Sequence, residues 1–441
     1  MNARSLPKTS TVLADVDLLE CEVSCSTAIT AATQLLSMLG LETHTQNLHL
    51  DAQCVCCTTV ESSPALGRAF TAVGIAADDA QAQRCALHTA IAQWASAAFA
   101  RTLPVSSMRA EELARSPGFA QTFPDLMPLL SAQADRCLAT VEFCQPHGTG
   151  TLRVPLALIN TSYLEAIEQN KPMPGVEDNF DYGQMRRFHV PTGPMTGASR
   201  DEALVQGLLY AHEQMCASEF QTQGVQQRTP GFIRRVMEDQ LPSQTCTLLR
   251  TAAEQHGCRV HLLDIDCGHQ MPTLLAYVDH VEANRRCLAI GTGFTIEHAA
   301  SRALRSVIQQ AQLPAKRGGS PAHPLHVPSA CEIPLSVESR EYLHTLIGTG
   351  QCPTVASDVR SVSVAATLEG RVATLLECFK RSGVTPWCLP YSLGTTGPMA
   401  CVQIMLAPFQ TSYLLQHGMP VMTSVGGRDK AANQSRSARP G

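Results

Sequence analysis

The sequence predicts a mixed α/β protein, with helices set around mixed, largely antiparallel sheets. Three observations lead there. Strand-like and helix-like patterns interleave along most of the chain. Several strand patterns are paired across short turn-forming stretches, as in antiparallel ribbons. Both common nucleotide loops are missing: no Gly-x-Gly-x-x-Gly follows a strand pattern, and no Gly-x(4)-Gly-Lys-Ser/Thr occurs. That argues against a doubly wound sheet.

The elements follow in order. Residues 1–16 are polar and expected to fray. Residues 26–39 carry a helical pattern, with Ser26 as N-cap and Gly40 as stop. Residues 49–60 alternate as a strand does, and 84–99 read as an Ala-rich amphipathic helix. Residues 139–144 and 152–159 read as strands, and the Pro- and Gly-containing stretch 170–194 as mostly loop. Helices are expected at 201–220 and at 242–256, the second ending at Gly257. Residues 259–266 and 273–280 form two strands around a Gly-containing turn, followed by a strand at 286–292 and a helix at 297–312. A Pro/Gly-rich linker at 314–328, a helix at 365–381 and strands at 387–389 and 399–406 complete the pattern.

Composition narrows the function classes. The 441 residues hold 33 Lys+Arg against 38 Asp+Glu, a formal net charge of −5, with no long single-sign run. A nucleic-acid-binding face would show as a basic patch, so no nucleic-acid partner is expected. Apolar residues make up 44% and charged ones 16%, below the usual ~25%; this is the balance of a packed chain, not a disordered one. No stretch approaches the ~18 apolar residues of a membrane span, and residues 1–15 carry no apolar secretory block. The expected compartment is the cytoplasm, with no membrane partner. There the 18 cysteines would be reduced. Cys54, Cys56 and Cys57 form the tightest group, which reads as strand core, as half of a metal site with Cys21 and Cys25, or as redox thiols. His256, His261 and His269 lie near Cys258, Cys267, Asp264 and Asp266; a solvated hairpin is expected there rather than a metal site. No Gly-x-Ser-x-Gly supports an esterase serine.

One unit recurs. Ala76, Ala82, Ala86, Leu87 and Gln93 have the spacing of Gly197, Ala203, Gly207, Leu208 and Gln214, and of Gly293, Ala299, Ala303, Leu304 and Gln310. A loop precedes each unit. Acids stand near each helix start (Asp78 and Asp79, Asp201 and Glu202, Glu297), where the helix dipole favours them. Small residues four apart give each helix a flat stripe for close backbone approach.

These blocks resemble the YcaO family, whose members activate peptide backbone amides with ATP. Pro191 to Ser199 followed by Asp201-Glu202-Ala203 is similar to the family's second loop and helix start. Gly291-Thr292-Gly293 followed by Arg302-Ala303-Leu304 and Gln309 is similar to its third block. Residues 263–266, 271–273 and 384–406 resemble its strand–turn–strand and closing strands. The resemblance implies a YcaO-like domain over 55–410, an N-terminal extension over 1–54 holding one helix and the start of the fold, and a polar tail over 411–441 expected to be disordered. It implies ATP and Mg²⁺ as cofactors, with Glu213, Gln309, Arg302, Gly193, Gly197 and Gly293 as binding residues and Glu213 as the metal ligand. It implies a precursor peptide or a peptide-modifying partner protein, and a homodimer as one assembly.

The chain also departs from the family. Expected carboxylates of the first helix fall on Thr89 and Ala92, with Gln93 in place of an arginine, and the Gly-Lys-Gly loop falls on Ala72-Val73-Gly74. The second pair falls on Tyr210 and Glu213, with Gln214 for the arginine. In the third helix a glutamate falls on Ser306, Gln309 is kept, and a later arginine falls on Ala311. The chain therefore reads as a diverged member with a degenerate ATP/Mg site. Three readings stand at this point: an ATP-dependent enzyme making azoline, thioamide or amidine; a non-catalytic scaffold or regulator that binds a peptide or partner enzyme; or a different small-molecule enzyme on a related fold.

Overall fold

The computed structural model describes residues 19–408 apart from 22, 51–52, 61–69, 172, 189–192, 266–267, 269, 280–287, 313–336, 356–361, 363 and 395–396. The expected linker at 314–328, the tail at 411–441, residues 1–16, Pro191, Thr192, Asp266, Cys267 and His269 lie outside the described residues. So do the side chains of Cys54, Cys56 and Cys57.

The chain begins with α1 (Cys25–Met38), capped by the Ser24 hydroxyl rather than by Ser26 and closed at Gly40, whose φ is +69°. The single strand expected over 49–60 is a hairpin, β1 (Thr43–Leu50) and β2 (Gln53–Val60), which pairs on with β3 (Phe70–Ala76). The strand β2 runs through the expected boundary at residue 54. A second sheet holds β4 (Ser106–Arg109), β5 (Cys137–Cys144), β6 (Thr151–Pro155), β7 (Met195–Gly197), β12 (Thr385–Tyr391) and β13 (Ala400–Ala407). The third has the order β11 (Leu288–Thr292), β10 (Thr273–Val278), β9 (Val260–Ile265), β8 (Ile233–Arg235). All paired strands are antiparallel. The strand expected over 152–159 ends at Pro155: Leu156–Ile159 turns helical, so that Asn160 caps the helix Thr161–Glu168.

Three long helices carry the repeat: α2 (Asp79–Ala97), α3 (Arg200–Glu219) and, after α4 (Ser243–His256), α5 (Ile296–Gln312). The later helices α6 (Val337–Gly348), which the periodicity does not announce, and α7 (Leu368–Arg381) cover the outside. Asp78 and Ser199 cap α2 and α3 by accepting from the amides of Gln81 and Glu202. The first packs on β3, the second on β7 and β13, and the third on β11 and β10. Each helix also touches the strand of the next unit: α2 meets β7, α3 meets β11, and α5 meets β3. The three units form a closed ring.

Glycines let the strands come this close. A Cβ on Gly74 would lie 2.1 Å from Ala82 O, and one on Gly291 would lie 2.2 Å from Ala299 O, the same eight-residue offset in the first and third units. The hairpin β9–β10 is buried rather than solvated: His261 is buried and stacks on Tyr277, and Asp264 pairs with Arg234. No helix among the described residues is long and apolar enough to cross a membrane.

Candidate functional site

The ring borders an open-sided cavity of about 260 Å³, lined by α2, α3, α5, β3, β7 and by Glu20, Cys21, Val23, Ser24 and Cys25. Thr89 and Ala92, Tyr210 and Glu213, and Ser306 and Gln309 all line it. These are six of the nine positions that the family resemblance assigns to ligands on the three helices; the three expected arginine positions, Gln93, Gln214 and Ala311, do not line the cavity. Side chains of three separate units thus converge on one space, although only Glu213 among the six is a carboxylate.

Glu213 and Gln309 also tie neighbouring units together. The Glu213 carboxylate accepts from the Thr292 amide at 3.0 Å, and Gln309 Nε2 donates to Val73 O at 3.0 Å. Glu213 is buried, not part of a solvated pair with His212, which is buried as well. Arg302 lines the cavity and donates through Nε to Glu213 at 2.7 Å. The three glycines do not line the cavity. Gly197 and Gly293 sit under the helix starts, where a Cβ would be 2.4 Å from Ala203 N and 2.6 Å from Ala299 N. Gly193 lies half-buried in the segment before β7.

Several functional candidates escape sequence reasoning. Glu20 enters the cavity from the N-terminal segment; Arg302 Nη1 donates to it at 2.7 Å, and Gln206 and His298 donate to it as well. His298 Nδ1 accepts from the Phe294 amide, and its Nε2 faces Glu20. Glu202, whose position suggests only a helix-start acid, is buried against Arg84, with which it forms an ion pair. Its small-residue neighbours gave the signal of a buried helix face, but its partner lies 118 residues away. His88 and Ser301 complete the wall.

Burial and charge set the protonation states. Burial would raise the Glu20 carboxyl, but the Arg302 charge and the hydrogen bonds from His298 and Arg302 outweigh it and hold it well below the usual carboxylate range. Burial raises the Glu213 carboxyl despite Arg302. Burial, followed by the nearby Arg84 charge, lowers His88 to about 3, so that its imidazole is neutral.

The sign for His88 follows from linkage. Its folded pKa lies below the ~6.5 of an unfolded histidine, so the unfolded chain takes up a proton the native one refuses. Stability from this group is full above pH 6.5 and declines as pH falls towards 3. Acidification from pH 7 to 4 should cost wild type about 3 kcal/mol more than His88→Gln, measured by urea unfolding at each pH. Equal losses in the two proteins would refute this assignment.

The donor set suits a phosphate-bearing ligand. Arg302 and Arg84 supply cationic donors, and two buried polar atoms on the wall, Ser301 Oγ and His88 Nε2, have no hydrogen-bond partner among the described residues. Mg²⁺ ordinarily needs only one or two protein carboxylates beside phosphates and waters. Glu213 meets that requirement; among the described residues no group of three or more His, Cys, Asp or Glu could hold a metal by itself.

A family model described as YcaO cyclodehydratase, ATP- and Mg²⁺-binding, matches residues 172–408. No curated protein matches the chain. Among solved structures, YcaO from Methanopyrus kandleri bound with AMPPCP and Mg²⁺ is similar, with a TM-score of 0.59 at 16% identity over 92% of this chain and 97% of that one. A heterocyclase in complex with substrate and cofactor is similar at TM-score 0.56 and 13% identity, over 89% of this chain. The match spans 53% of that heterocyclase, about half its length. At these identities the likeness is one of fold.

Proposed function

The chain belongs to the YcaO family, whose model is that of an ATP- and Mg²⁺-binding cyclodehydratase, and on that premise we propose that it is a protein of ribosomal-peptide modification. In this reading it binds Mg-ATP in the three-helix cavity and activates a backbone amide of a precursor peptide, by cyclodehydration to an azoline or by thioamidation. One observation carries the reading: six of the nine family ligand positions, scattered over more than 200 residues of sequence, line one cavity.

Each retained residue then has a task. Arg302 faces the phosphates, with its charge secured by Glu213 and Glu20, which raise its pKa despite burial. Glu213 offers a carboxylate beside Mg²⁺. Gln309 fixes α5 against β3 and turns its amide to the cavity. The bound nucleotide would supply an electrophilic phosphorus for the amide oxygen, with Mg²⁺ neutralising charge on the phosphates. The partner is a precursor peptide or a peptide-modifying protein, with a homodimer as one assembly. The free thiols among the described cysteines accord with a cytoplasmic setting.

A second reading has its own support. Thr89, Ala92, Tyr210 and Ser306 bring no carboxylate to the cavity, which favours a degenerate, non-catalytic scaffold or regulator that holds a peptide or partner enzyme. Calorimetry with Mg-ATP separates the two. Wild type should bind, and a Glu213→Gln, Gln309→Ala double variant should bind at least about tenfold more weakly, the worth of one charge-assisted contact. Arg302 keeps Glu20 as partner in that variant, so the fold should survive. No binding by wild type at millimolar Mg-ATP would sink the catalytic reading in favour of the scaffold.

A further inference from the structure

The N-terminal segment supplies a carboxylate to a site built for an anion. Glu20 lies between Arg302, His298 and Gln206, all donating to it. Cys21, Val23 and Ser24 continue the same wall of the cavity. The Leu19 carbonyl accepts from Arg371 at 2.8 Å, and Cys21 accepts from Arg84. Leu19 also packs against the side-chain cluster between α3, α7 and β13, and past Ser24 the chain enters α1. If Glu20 withdrew, Arg302 would keep only Glu213 among the carboxylates bonded to it.

We propose that the segment carrying Leu19, Glu20 and Cys21 is an autoinhibitory strap: the Glu20 carboxylate is a tethered occupant of the cavity's anion site, and an incoming phosphate group must displace it. The inference rests on the nucleotide reading above for its natural ligand, but the strap can be tested without it. A ligand that binds only the strap-open form has its affinity reduced by the open fraction. Weakening the strap therefore tightens the ligand by the same factor for as long as the closed form dominates.

The experiment uses the full chain and two readouts. The first is alkylation of Cys21 by N-ethylmaleimide, located by mass spectrometry. Burial raises this thiol to about 12, so it is unreactive while the strap is closed. The second is calorimetry with inorganic tripolyphosphate and with Mg-ATP. Glu20→Gln removes the charge from a charge-assisted contact, so it should raise Cys21 alkylation about tenfold and tighten tripolyphosphate by a similar factor. Buried Cys388 and Cys401 should stay protected, which shows the fold is intact. Should Glu20→Gln fail to fold, Arg371→Ala loosens the strap from outside the cavity and should move both readouts the same way.

Unchanged Cys21 alkylation in a folded variant would overturn the strap. Equal tripolyphosphate affinity in wild type and variant would overturn it too, while leaving Mg-ATP binding to be judged separately. Tighter tripolyphosphate without any Mg-ATP binding would support the strap and sink the nucleotide reading.

Discussion

Replacing Glu202 by alanine is expected to lower the free energy of unfolding by about 3–5 kcal/mol, the cost of leaving one member of a buried ion pair alone. The Glu202 side chain is 1% exposed and that of Arg84 is 7%. Arg84 keeps its charge despite burial, because Cys21 and Glu202 raise its pKa. With Glu202 gone, its guanidinium stands at the cavity wall beside Cys21 without its carboxylate. Urea denaturation measures the loss. A double change, Arg84→Met with Glu202→Leu, should recover most of it, since a buried pair is worth little more than an apolar pair of the same shape. A loss under about 1 kcal/mol for the single variant would mean that water reaches Arg84 and the pair is not sealed.

Gly291→Ala should cost about 3 kcal/mol, at the upper end of ordinary overpacking. The added Cβ would stand 2.2 Å from Ala299 O and 2.4 Å from Ala303 N, both backbone atoms of α5. No rotamer change relieves such a contact, so the helix must move away from β11. That helix carries Ser301, Arg302, Ser306 and Gln309 into the cavity. Mg-ATP binding should therefore weaken along with stability, although residue 291 does not line the cavity. Full stability in the variant would show that α5 can shift without cost, contrary to its tight seat.

How much of this was legible in the sequence depends on the range of each interaction. The repeat was readable because small residues recur at fixed offsets, and those offsets are helix geometry. Its register also put Thr89, Ala92, Tyr210, Glu213, Ser306 and Gln309 in equivalent places, and the cavity gathers all six. Glycines were harder to read. Gly197 and Gly293 suggested loops for a ligand, yet their missing side chains make room for helix backbones. The hairpin at 260–278 misled through its polar residues, because His261 and Asp264 find partners that a one-dimensional pattern cannot show. Glu20 was out of reach for the same reason: its partner Arg302 stands 282 residues further on.

The closed ring has a consequence for how the chain is made. The bond from Gln309 to Val73 that seals the third unit onto the first spans 236 residues. At about 5–20 residues per second of synthesis, β3 and α2 wait on the order of 10–50 seconds before their closing partner exists. During that interval α1, β2 and β3 already pack on α2, but the face of β3 that meets α5 is left uncovered. Assembly cannot proceed from one end as in a stack of repeats. It is a high-contact-order closure, slow by topology, and the nascent first unit is the stretch most in need of protection from aggregation.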